Sequence, residues 1–125
     1  MNDDIKLDGL LDFGVMDALD KIFYYASDML CILDDKGFFV KTNPKWTEEL
    51  GWTEKELCSV PWKDFVHLDD LIPTMDIYAR AVAGETIVNF KNRYRCKDGS
   101  FKVLHWQPVG FVGTQTFSIA KIRKD

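Results

Sequence analysis

Side chains suited to soft-metal or nucleophilic chemistry are scarce: the chain has two histidines and three cysteines in 125 residues. The cysteines, Cys31, Cys58 and Cys96, lie far apart and form no Cys-x-x-Cys spacing. That removes the common zinc and dithiol frameworks and points to a reduced, cytoplasmic chain. Neither histidine belongs to a nucleophile motif, and phosphate loops and dinucleotide fingerprints are lacking. No cluster supplies the three or four converging ligands a metal needs. No catalytic residue and no metal is therefore assigned, and the chain is not expected to be an enzyme. Positive charge is not in surplus either. Acidic and basic residues are interspersed and sum to a net charge of -4, which argues against a nucleic-acid groove. No apolar run approaches the ~20 residues of a membrane helix, and no signal-peptide pattern occurs. No membrane contact is expected of this chain.

What is present is a globular composition, 46% hydrophobic and 14% aromatic, in a length that suits one domain with a real core. Asp34 to Gly37 joins the apolar runs Met29–Leu33 and Phe38–Thr42 at hairpin length, with Gly37 free to take positive φ. Asn43 is placed to cap a helix that starts at Pro44 and stops at Gly51. Thr53-x-x-Glu56 is a capping box opening another short helix. Pro61 to Val66 makes a helical turn, and Asp69 and Asp70 open a longer helix running to about Ala83. Pro73 falls in its first turn, where it is tolerated. Three strands are predicted after Gly84: Glu85–Lys97, Ser100–Val109 and about Thr114–Ile122. Asp98-Gly99 is a hairpin signal between the first two.

At the other end, apolar residues from Ile5 to Ala26 recur at spacings of three and four, the mark of an amphipathic helix. Gly9 and Gly14 weaken its first half, each by about 1 kcal/mol relative to Ala, and leave 15–26 as its firm part. The predicted organisation is a helix over 1–25 and a domain over 26–125. Strands Met29–Leu33 and Phe101–Val109 are apolar on both faces, unlike a sheet with one wet face. The short helices can cover one face; the N-terminal helix or a second subunit must cover the other.

In order, Asp34-x-x-Gly37, Asn43-x-x-Trp46, Leu50-Gly51-Trp52, Glu56-Leu57 and His67-Leu68-Asp69-Asp70 resemble the signature of the PAS sensory domain family. Leu68 stands where the family has proline. Phe90, Arg93-Tyr94-Arg95 and Lys97-Asp98-Gly99-Ser100 are similar to the family's second half, so the resemblance spans about residues 26–122. It implies an α+β fold: a five-stranded antiparallel sheet with short helices and one longer helix on one face, plus the N-terminal amphipathic helix. It also implies a sensory and dimerising module of a larger signalling protein, such as a sensor histidine kinase or a cyclic-dinucleotide enzyme. The effector would lie in the same polypeptide, and the module could be the cytosolic part of a membrane-bound sensor. Lys121-Ile122-Arg123 stands where members continue through Asp-Ile-Thr into a linker helix, so the sequence is expected to be cut from a longer chain.

The resemblance leaves the cofactor unknown and disfavours two. The photoreactive cysteine of flavin-binding members falls at Trp62, and the long helix lacks the histidine that haem-binding members use. His105 is the one residue left that could reach a pocket as a haem ligand. His67, in a loop beside two aspartates, reads better as structural. A small-molecule cavity is expected between sheet and helices. By strand and helix phase its candidates are Phe39, Trp46, Phe65, Ile72, Met75, Tyr78, Phe90, Tyr94, His105, Gln107 and Ser118. These bulky side chains could equally fill the space. A homodimer is expected, with Leu11, Leu19, Ile22, Phe23 and Trp106 as interface candidates. Two rivals stand beside the sensor: a ligand-free interaction module, and a small α+β enzyme with a cone-shaped pocket.

Overall fold

A computed structural model describes residues 14–123. Helix α1 (Met16–Tyr25) leads into a hairpin of β1 (Met29–Leu33) and β2 (Phe39–Thr42). Helices α2 (Pro44–Leu50) and α3 (Glu54–Cys58) follow, then a 3-10 turn (Trp62–Asp64) and the long helix α4 (Leu68–Val82). Strands β3 (Phe90–Arg95), β4 (Phe101–Val112) and β5 (Gln115–Lys121) complete the chain. They form one five-stranded sheet in the order β2-β1-β5-β4-β3, antiparallel throughout. The fold is the α+β architecture expected from the sequence. Among the described residues, no helix is long and apolar enough to cross a membrane.

Local chemistry explains most of the element ends. The Asp34 carboxylate accepts from the backbone of Lys36 and Phe38, both at 2.9 Å, closing the first turn, and Gly37 takes the positive φ this requires, +86°. The capping box forms as read: Thr53 Oγ1 accepts from Glu56 N at 3.1 Å, and Glu56 Oε1 from Thr53 N at 2.9 Å. Asn43 departs from expectation. It sits at the start of α2, yet its side chain makes no cap bond. Its Oδ1 accepts from Leu30 N at 3.1 Å, and its Nδ2 donates to the carbonyls of Phe23 and Asp28 at 3.0 and 2.9 Å. One buried amide thus ties α1, the α1–β1 link and β1 together.

The third strand is shorter than its apolar sequence predicts. Residues 85–89 stay outside the sheet, and Asn89, at φ +56°, turns the chain into β3. Both sheet edges are partly covered. On β3, Arg95 N donates to Phe65 O at 2.7 Å and His67 N to Arg93 O at 2.9 Å, while an Asp70 oxygen takes Arg93 N at 2.8 Å. On the β2 side, Glu54 accepts from Thr42 N at 2.9 Å, and Phe38 bridges Pro61.

Helices α2 to α4 lie on the inner face with Met29, Cys31, Leu33 and Leu104 of the sheet. Helix α1 meets the outer face, where the Phe23 ring contacts Phe117 edge-on at 6.2 Å. The outer side of β4 keeps Phe101 and Val103 exposed.

Candidate functional site

Trp46 is the centre of the inner layer and is fully buried. Its indole N–H donates to Leu30 O at 3.1 Å. Around it stand Phe39, Tyr94 and Trp106, with ring centroids at 5.1, 5.8 and 5.9 Å. Phe65 lies parallel to Tyr94 at 6.4 Å.

Packing stops short at the C-terminal half of α4. A cavity of about 330 Å³ opens there between Tyr78 and Ala81 of α4, residues 84–87, and the inner faces of β3, β4 and β5. Trp62, Tyr78, Phe90, Tyr94 and Trp106 give it aromatic walls; Thr74, Asn92, Thr116 and Ser118 add polar atoms. Gly110 also borders it, where the β4–β5 register slips between Pro108 and Gly110, a bulge that accommodates a proline without a ladder donor.

The polar wall is largely self-satisfied. Asn92 Nδ2 donates to Thr74 Oγ1 at 3.2 Å, and Trp106 Nε1 donates to Asn92 Oδ1 at 2.7 Å. Thr116 Oγ1 is buried without a partner. Burial pushes the Tyr94 phenol and the Cys31 thiol beneath it well up, so both stay neutral. Burial also raises Tyr78, helped by Asp34 and Asp35. Among the described residues no Lys, Arg or His lines the cavity, and its single carboxylate, Glu85, sits exposed at the rim. Arg80 Nε binds that carboxylate at 3.0 Å.

The structure places the sequence candidates in three groups. Tyr78, Phe90, Tyr94 and Ser118 stand on the cavity wall. Phe39, Trp46 and Phe65 lie in the packed cluster beside it. Four face elsewhere. Ile72 and Met75 are 77% and 42% exposed, on the solvent side of α4, because Thr74, Ile77, Tyr78 and Ala81 supply the inner face. His105 and Gln107 lie on the outer face, because Leu104 and Trp106 set the inward phase of β4. The same phase brings Trp106 to the cavity and removes it as an outer-face anchor. His105 cannot serve the cavity as a haem ligand, and no other histidine lines it among the described residues. Of the remaining interface candidates, Phe23 is buried, Leu19 and Ile22 are exposed, and Leu11 lies outside the described residues. No group of three potential metal-ligating side chains occurs among the described residues.

Sequence reasoning missed Trp62, Thr74, Asn92 and Thr116. Asn92 was within reach, since it shares the period-two phase of Phe90 and Tyr94. Trp62 was not, because a 3-10 turn of three residues carries no readable period.

The profile of the PAS fold matches residues 39–114, more than half of the chain. No curated protein matches it. Among solved structures, the chain is similar to a domain of a sensory box sensor histidine kinase/response regulator from Geobacter sulfurreducens, 20% identical, with a TM-score of 0.75 over 86% of this chain and 93% of that one. It is also similar to the PAS domain of an HTR-like protein from Haloarcula marismortui, 22% identical, TM-score 0.68, over 94% and 98%. A third is the PAS-B domain of Drosophila melanogaster Cycle with bound ethylene glycol, 20% identical, TM-score 0.61, over 76% and 97%. At these identities the likeness is one of fold. The profile takes in the chain from β2 to the β4–β5 turn, the segment that builds both the aromatic cluster and most of the cavity wall; this chain belongs to the PAS fold family.

Proposed function

We propose that the chain is a sensory and dimerising module of a larger signalling protein: a domain over 26–125 preceded by a helix over 1–25. It takes a small molecule into the cavity and passes the change to an effector in the same polypeptide. The cavity carries this reading. Its volume, about 330 Å³, falls at the lower end of the ~300–1,000 Å³ usual for ligand sites. It is walled by side chains that also hold the sheet, so filling it shifts packing that reaches β1 and, through Asn43, α1. Such a relay needs an element with two arrangements. Helix α1 suits that role, since within it only Phe23 is buried. The sensor kinase described for the Geobacter neighbour fits the effector reading.

Native mass spectrometry of the purified protein should show a bound mass released on denaturation, and Ala81→Trp, which fills the cavity, should abolish it. An equally ligand-free mass for both proteins would refute the ligand reading. The absorption spectrum should show no haem or flavin band.

A purely protein-binding module is the second reading, and a specific observation favours it. Met16, Leu19, Ile22, Tyr24 and Tyr25 on α1, with Phe101 and Val103 on the sheet, leave large apolar side chains in solvent. A homodimer that buries over about 1,000 Å² would cover them. The enzyme reading is the weakest, because the one carboxylate on the wall among the described residues is at the rim and engaged by Arg80.

A further inference from the structure

We infer that the cavity selects an uncharged, flat molecule of one or two rings and rejects carboxylates and phosphates. This rests on the cavity being a ligand site. Size comes first. A cavity of about 150 Å³ holds benzene, and this one, at about 330 Å³, has room for a fused bicycle. Shape follows from the wall. Tyr78 from the helix layer, with Trp62 tilted against it at 6.1 Å, stands across from Phe90 and Trp106, which are paired rung to rung on the sheet. A slot between two aromatic layers favours a planar guest through offset or edge contacts.

Charge decides the class. An anion entering such a site must lose water and find a cation or several free donors. Among the described residues the first is lacking and the second is scarce. No basic side chain lines the wall; the amide of Asn92 and the indole N–H of Trp106 are already spent on Thr74 and on Asn92. The guanidinium that meets the rim residue Glu85, that of Arg80, is held by Glu85 at 3.0 Å and by Asp76 at 3.7 Å. A hydrated cation finds no free carboxylate either, because that of Glu85 at the rim is committed to the same arginine. On the sheet side of the wall stand the hydroxyls of Thr116 and Ser118, two residues apart on the inner face of β5, the first without a partner among the described residues. A hydroxyl accepts or donates as required, so one N–H or O–H on the guest meets a group that is free to answer it.

The test titrates the full chain, ¹⁵N-labelled, with indole and with indole-3-carboxylate at pH 7. The two differ by one ionised carboxylate group, so indole-3-carboxamide, its near-isostere without the charge, is titrated beside them and should bind like indole. The indole N–H signals of Trp62 and Trp106 report directly from the wall. Indole should shift both saturably, and the carboxylate should bind at least tenfold more weakly. In Ala81→Trp, whose dispersed spectrum confirms folding, the indole response should vanish. Equal or tighter binding of the carboxylate at these signals would overturn the selectivity while leaving the cavity a ligand site. No response to any of these compounds at millimolar concentration would overturn both.

Discussion

Replacing Asn43 by alanine should damage this domain more than any surface change of similar size. The side chain is 2% exposed and makes three hydrogen bonds, one from Leu30 N and two to the carbonyls of Phe23 and Asp28. Each such bond contributes about 1 kcal/mol net, and a buried group left unpaired costs about 1–3 kcal/mol. Leu30 is buried, so its N–H bears the full penalty; the Asp28 carbonyl is near enough to solvent to recover water. The expected loss is therefore ~3–4 kcal/mol, a large part of the ~5–15 kcal/mol by which a domain is stable. Urea unfolding followed by tryptophan fluorescence measures it, and the slope with denaturant should not change. Asn43→Asp sharpens the test. It keeps the acceptor for Leu30 but turns a carboxylate toward two carbonyls, and should be worse than alanine. A loss below ~1.5 kcal/mol for alanine, or an aspartate variant as stable as wild type, would show that the amide is not the tie described here.

Two further outcomes follow from other contacts. Arg93, bonded to both Asp70 oxygens at 3.0 and 2.8 Å, holds that carboxyl below its ordinary range; the folded value being depressed, its stabilisation is present above pH ~4 and lost as pH falls through the folded value. Asp70→Asn should therefore lower the urea midpoint at pH 7, and its deficit should shrink toward pH 3; a deficit independent of pH would refute the ion pair as the cause. Leu19, exposed on α1, should lie in a dimer seam, so sedimentation at tens of micromolar should give a dimer for wild type and a monomer for Leu19→Glu; a monomeric wild type would defeat the dimer.

Signals confined to a few residues were legible in the sequence. The Thr53–Glu56 box, the Asp34 turn and the Gly51 stop each satisfy backbone groups within one turn, and each stands as read. The family signature located the sheet and the order of the helices. Signals that depend on the third dimension were not legible. Asn43 has the right identity and place for a cap, but three partners 13 to 20 residues distant outcompete that role. Strand β4 is apolar on both sides, so alternation alone could not say whether Trp106 or His105 faces inward. Helix α4 carries apolar residues around much of its circumference, so sequence phase alone places Ile72 and Met75 inward. The cavity itself is a shortfall of packing at one end of a full core, and a list of inward residues cannot show where that falls.

The covered stretches of the sheet edges bear on how this molecule can associate. With Phe65, His67 and Asp70 occupying one border and Glu54 and Pro61 the other, an incoming strand finds few free main-chain groups to pair with. Growth of the sheet from chain to chain, the first step toward fibrils, is hindered at both borders. Partial cover of the edges favours association face against face, through side chains, and side-chain contacts can be made and released without unravelling the domain.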